Sequence, residues 1–81
     1  MSDNHWRMQL NNYLQGNGGT KKLTWEIYSE GPSHQILWTA ITYVHGVQYA
    51  RVQSSRQNAA AEEAARITLN ALSSDRQRGV Y

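Results

Sequence analysis

The sequence predicts an α+β domain of order αβββα: a three-stranded antiparallel sheet with two helices packed on one face. Three observations predict it. Trp6, Leu10, Tyr13 and Leu14 recur at helical spacing near the start. Three later runs alternate side chains with the period of a strand and are rich in β-branched and aromatic residues. A final alanine-rich run carries strong helix formers.

The first helix is expected over Trp6 to Gln15, with Asp3 or Asn4 able to cap its start. The stretch Gly16 to Gly19 ends it, because Gly and Asn accept left-handed backbone angles at low cost. In "LTWEIYSEGP", Leu23, Trp25 and Ile27 alternate with Thr24, Glu26 and Tyr28, the pattern of a strand. Gly31-Pro32 turns the chain into a second strand, "QILWTAITYV". His45-Gly46 is a tight turn into the third strand, "VQYARVQ". Ser54 and Ser55 are good N-cap residues for a helix over "RQNAAAEEAARITLNAL". Its small face, Ala60, Ala64, Ile67 and Ala71 with Ala61, Leu69 and Leu72 beside them, suits close approach to a sheet. "SSDRQRGVY" reads as a polar, fraying tail, so the domain is set at residues 5–72 and the tail at 73–81.

One face of such a sheet must be covered, and two helices can do it. Strand parity points Trp25, Ile27, Trp38, Ala40, Thr42, Val44, Ala50 and Val52 at the helices. It leaves Glu26, Tyr28, Leu37, Thr39, Ile41, Tyr43, Val47, Tyr49 and Arg51 on the open face. That is an unusually apolar set for a face that meets only water, and three explanations compete: the tail ending Val80-Tyr81 folds over it, it pairs two copies or binds a partner protein, or the Tyr side chains simply snorkel.

Eighty-one residues make one small domain with a thin core. There is no Cys, so packing alone holds the fold, and a reducing compartment suits it. The start lacks the layout of a secretory signal, and no apolar run approaches the roughly twenty residues that span a bilayer. The expected location is intracellular, cytoplasmic or nuclear, with no membrane partner. The net charge of +2 permits a nucleic-acid partner without requiring one.

Enzyme chemistry finds no foothold. The six carboxylates, Asp3, Glu26, Glu30, Glu62, Glu63 and Asp75, form no evident acid/base pair with a nucleophile. The three His lack metal-ligand spacing, and no Gly-rich phosphate loop is present. No enzyme activity, cofactor or metal site is expected. Lys21-Lys22 reads as a solvated loop pair, and His5 and His45 as surface residues. Glu62-Glu63 reads as a solvated helix face with Arg66 in reach of either.

One loop carries more. Gly31-Pro32-Ser33-His34, followed by Trp38, resembles the Gly-Pro-x-His loop of the double-stranded-RNA-binding domains, with its aromatic residue four positions on. "LNNYLQ" is similar to that family's first helix, and "AEEAARITL" to its Ala-rich second helix. The resemblance spans roughly Trp6 to Leu72 and is loosely closest to small stand-alone fungal members. It implies a non-enzymatic domain that reads A-form RNA by shape. The first helix would enter one minor groove, the loop the next, and the start of the second helix would lie over the phosphates between them, spanning about 16 bp.

Carried onto this sequence, the resemblance implies contacts from Met8, Asn11 and Asn12 on the first helix, where Asn12 replaces a frequent Glu. It implies Pro32, Ser33 and His34 in the loop. At the second helix it implies Ser55, Arg56, Gln57 and Asn58, and here the chain departs. The family's Lys-Lys-x-Ala-Lys positions hold Gln57, Asn58, Ala59, Ala60 and Ala61, so those lysines are absent and Arg56 alone supplies charge. Each missing phosphate contact removes about 0.7 to 0.9 units of log–log salt slope and some affinity. The expected function is therefore sequence-tolerant duplex RNA binding of modest affinity. The alternative is a degenerate domain acting as a homodimer or protein-interaction module through the Tyr28, Leu37, Ile41, Tyr43 and Tyr49 face.

Overall fold

The computed structural model describes residues 5–16 and 23–78, with side chains up to residue 74. The element order is α1 (Trp6–Gly16), β1 (Leu23–Glu30), β2 (Leu37–Val44), β3 (Val47–Ser54) and α2 (Gln57–Arg78). The strands form one antiparallel sheet in the order β1-β2-β3, as the alternation predicts. The β2–β3 turn is tight because His45 and Gly46 both take positive φ, 54° and 79°. That is the backbone twist a two-residue hairpin demands.

α2 packs across β3 and β2, and α1 lies against α2. The core has two clusters. Leu10 and Leu14 of α1 join Val44, Ala65 and Leu72, with Trp6, Tyr13, Leu23, Trp25, Tyr49 and Leu69 around them. Nearer the start of α2, Ala60 and Ala64 meet Ala40 and Ala50, flanked by Trp25, Trp38, Val52 and Ile67. Methyl-on-methyl contact lets the α2 backbone sit close to the sheet, and the Trp side chains supply the apolar area that the alanines lack. Within this layer Thr42 and Thr68 share a buried hydrogen bond of 2.5 Å, and the Thr68 hydroxyl also reaches the Ala64 carbonyl at 2.7 Å. Both hydroxyls are thereby satisfied, as burial requires.

Several expectations need correction. Tyr49 does not join the open face; it packs into the helix-side cluster. The cause is a β-bulge: Thr42 pairs with Ala50 while Tyr43 pairs with Gln48, so Tyr49 is the extra residue and the period of two breaks there. Val47 shifts with it, pairing with the helix-side Val44. Ile27 keeps its assigned side, opposite Ala40, but is 36% exposed, because β1 is an edge strand and α2 covers the other two. α2 runs on through 73–78, part of the stretch expected to fray, because no Gly or Pro interrupts it before Gly79. Finally, neither Ser54 nor Ser55 is the N-cap residue. The first intrahelical bond is Ala60 N–H to the Arg56 carbonyl, which puts Arg56 at the cap, while the Ser54 hydroxyl accepts from Arg56 N–H at 3.3 Å. The expected α1 caps, Asp3 and Asn4, and the pair Lys21-Lys22 lie outside the described residues.

Candidate nucleic-acid interface

The loop between β1 and β2 is short and internally braced. Gln35 N–H donates to the Pro32 carbonyl at 2.8 Å, which closes a turn over Ser33 and His34. Gly31 enters that turn at φ +103°, and a Cβ placed there would lie 2.6 Å from the Gln35 carbonyl oxygen. Glycine is therefore required twice, by the backbone angle and by the close approach. Pro32, Ser33 and His34 are all exposed. Gly31→Ala is expected to destabilise the fold by about 2 kcal/mol and to splay the loop. Chemical denaturation checks the first effect, and loss of the Gln35 amide's protection from hydrogen exchange checks the second.

The loop's trailing end meets the start of α2. Gln35, Ile36 and Leu37 line one side of a cleft of about 340 Å³, and Ser55 lines the other. Just beyond, Arg56, Gln57, Asn58 and Ala59 form a second, shallow cleft of about 360 Å³. The N–H groups of Gln57, Asn58 and Ala59 precede the first intrahelical bond, so this cleft presents unpaired donors and the positive end of the α2 dipole. Gln57 and Asn58 add amide groups, and Arg56 adds a charge. The structure thus sets Gln35 to Leu37, just after the predicted loop contacts, beside Ser55 at the approach to α2.

α1 contributes a third surface. Met8 is 58% exposed, and Asn11 and Asn12 are exposed as well. Asn12, Gln9 and Tyr13 line an open groove of about 520 Å³ against Leu69, Asn70 and Ser73 of α2. α1 and α2 run parallel. Trp6 and Arg7 meet Glu62 near the start of α2, and the Tyr13 hydroxyl reaches the Leu72 carbonyl, at 3.5 Å, further along it.

Glu62 is a further residue that sequence reasoning placed wrongly. It is not solvated but buried, 7% exposed. One carboxylate oxygen accepts from Trp6 N–H at 2.8 Å and Arg7 N–H at 3.4 Å; the other accepts from Arg7 Nε at 2.6 Å. It therefore caps α1 from a distance of 55 residues along the chain. Burial pushes its carboxyl pKa up, but the Arg7 guanidinium and the two backbone donors outweigh that and hold it below the ordinary carboxylate value. Its neighbour Glu63 pairs with Arg66 on the surface.

The open sheet face is less apolar than parity suggests. Thr39 and Ile41 are buried, at 0% and 6% exposure, although no helix covers them. Polar side chains are bonded to one another across that face. Gln53 spans from Thr39 to Glu30, with amide contacts of 3.2 and 3.0 Å, and the Tyr43 hydroxyl donates to Glu26 at 2.9 Å. That bond raises the Tyr43 phenol above its usual pKa. Leu37 remains as an exposed large aliphatic residue on that face, at 43%, whereas Val47, 58% exposed, pairs with the helix-side Val44 beyond the bulge. Among the described residues no cluster of His, Cys, Asp or Glu has metal-holding geometry, and no helix is long and apolar enough to cross a membrane.

A helix, a three-stranded antiparallel meander and a second helix parallel to the first, with the β1–β2 loop beside that helix's start, is the architecture of the double-stranded-RNA-binding domains, and this chain has their fold. Solved structures agree. The chain is similar to Arabidopsis HYL1, whose structure is described with its implications for miRNA processing, at TM-score 0.70 and 28% identity over 84% of this chain and 96% of that one. It is similar to the first dsRBD of HYL1 at TM-score 0.65 and 29% identity, over 83% and 94% of the two chains. DRB4 dsRBD1 shares the fold at TM-score 0.67 and 23% identity, over 88% and 99%. No protein-family model matches the chain, and no curated protein does.

Proposed function

We propose that this chain binds double-stranded RNA by shape, largely independent of sequence and with modest affinity. The observation that carries the reading is the braced Gly31–Gln35 turn with exposed Pro32, Ser33 and His34, set beside the unpaired donors at the start of α2. Asn11, Asn12, Ser33 and His34 can donate to or accept from 2′-hydroxyls, the groups that distinguish an RNA minor groove from a DNA one. Arg56, Gln57, Asn58 and Ser55 can hold a phosphate through side-chain and backbone donors. Likeness to the first dsRBD of HYL1 supports the same reading.

Among the residues whose side chains are described, few cations back this surface. Arg7 and Arg66 are engaged with Glu62 and Glu63, and Arg51 lies on β3 opposite Ile41, which leaves Arg56 as the charge lining the α2 cleft. Binding should therefore rest more on hydroxyl and amide contacts than on released counterions. The log–log salt slope is expected near −1 to −2, that of one or two phosphates. Titration with a duplex RNA of about two helical turns, with DNA of equal length as control, tests the reading. Chemical-shift changes at Asn12, His34 and Arg56 with RNA, and not with DNA, are the expected result. His34→Ala should weaken binding about fivefold, the loss of one net hydrogen bond. Absence of RNA-induced shifts at all three residues refutes the proposal.

The alternative, a protein-interaction or dimerisation module using the open face, has less support. Its central residues Thr39 and Ile41 are already buried, and Tyr49 lies on the other side of the sheet.

A further inference from the structure

We propose that Glu62 is a positioning residue for RNA recognition, setting where α1 presents Met8, Asn11 and Asn12 relative to the start of α2. The proposal rests on the RNA reading above and extends it to a residue that need not touch RNA.

The argument is one of attachment. A reader that straddles two grooves needs its contact elements held at a fixed separation and angle, because small misplacements forfeit contacts made at hydrogen-bond range. The loop and the start of α2 are joined through β2 and β3, a hydrogen-bonded sheet on which α2 is packed. α1 has no such frame. It is an eleven-residue helix whose close backbone neighbour is α2, and it reaches the sheet through the side chains of Leu10 and Leu14. Apolar contact of that kind fixes distance better than it fixes angle. Direction comes from polar links, and two of those among the described residues tie α1 to α2. At the far end the Tyr13 hydroxyl reaches the Leu72 carbonyl at 3.5 Å, a long contact. At the near end Glu62 takes the helix terminus itself, through two backbone N–H groups and the Arg7 side chain, with its own side chain only 10% exposed.

The placement of Glu62 along α2 gives the link its functional consequence. It lies in the second turn, one turn beyond the Arg56–Ala59 cleft, and the residue it ties, Arg7, adjoins Met8. One carboxylate thus connects the elements that carry the phosphate donors and the first-groove contacts. A charged side chain can set this geometry without contributing to the RNA surface.

The test separates orientation from affinity. Residual dipolar couplings of α1 and α2 amides, measured without RNA, report the angle between the helices. Glu62→Ala should change the α1 couplings relative to α2, while Ile67→Ala, which thins the other core cluster, should leave them unchanged. Glu62→Gln keeps an acceptor for Trp6 N–H and loses the charge pairing with Arg7, so it should fold if Glu62→Ala does not and should show a smaller change of the same sense. With duplex RNA, both Glu62 variants should bind at least about fivefold more weakly than Ile67→Ala. The RNA-induced shift of Asn12 should fall while that of His34 persists. Couplings unchanged in the Glu62 variants overturn the assignment outright. A changed helix angle with unchanged RNA affinity and an unchanged Asn12 shift overturns its link to recognition. If the wild-type chain binds no duplex RNA, the RNA reading is what fails, recognisably, because the couplings need no RNA.

Discussion

Leu10→Ala is expected to lower the unfolding free energy by about 3 kcal/mol, within the range for large-to-small changes in a packed core. Leu10 is fully buried, at 0% exposure, and joins α1 to α2 and the end of the sheet. A chain of 81 residues has a total stability on the order of 4 to 12 kcal/mol, so one side chain accounts for a large share. The loss is expected to stand clear of the lower end of the range. The neighbours Leu14, Val44 and Leu72 are themselves buried and held by regular backbone, so the site cannot collapse far. Urea denaturation followed by Trp fluorescence measures it. A change below about 1 kcal/mol would mean that α1 is not an integral part of the core.

Glu62→Ala is expected to cost about 2 to 3 kcal/mol near neutral pH, because two backbone donors and the Arg7 guanidinium lose a largely buried acceptor. The half-exposed Arg7 can turn to water, which keeps the loss below that of a fully buried pair. The pH dependence follows from the direction of the shift. The folded-state pKa of Glu62 lies below its unfolded value, so its contribution is fully present above the unfolded pKa, about 4.3. It is lost as pH falls through the folded value, because the unfolded chain then binds the proton more readily. Wild type should thus lose stability on acidification below about pH 5, and part of that loss should be missing in Glu62→Ala. Thermal melts across pH 3 to 7 check both; parallel curves for the two proteins would refute the assignment.

Most of the architecture was legible in the sequence, and the exceptions share a cause. α1 announced itself through Leu10 and Leu14 one turn apart, the strands through alternation, and the His45-Gly46 turn through residue type. The loop "GPSH" was readable because Gly31 serves a strictly local need, a positive φ. What escaped depends on partners distant in the chain. Glu62 looks like any polar helix residue until α1 is laid beside it, and no spacing rule reaches across 55 residues. The Tyr49 bulge has no marker such as a glycine, so parity assigned the wrong face. Thr39 and Ile41 were placed on the open face yet are buried; the Gln53 amide that bonds Thr39 belongs to another strand, which spacing within one strand does not show. The loss of lysines at the second helix was visible from residue identity alone, and the structure adds what remains there: Arg56 and backbone donors.

The buried Thr42–Thr68 couple has a consequence for how the last helix finds its seat. A row of alanines against alanines is nearly featureless, and by shape alone such a helix can slide a turn along the strands at little cost. Two hydroxyls within that oily seam remove the freedom, because in a slipped alignment Thr68 keeps the Ala64 carbonyl of its own helix but Thr42 is stranded in a dry place with nothing to bond. The pair acts as a dowel that admits a single alignment.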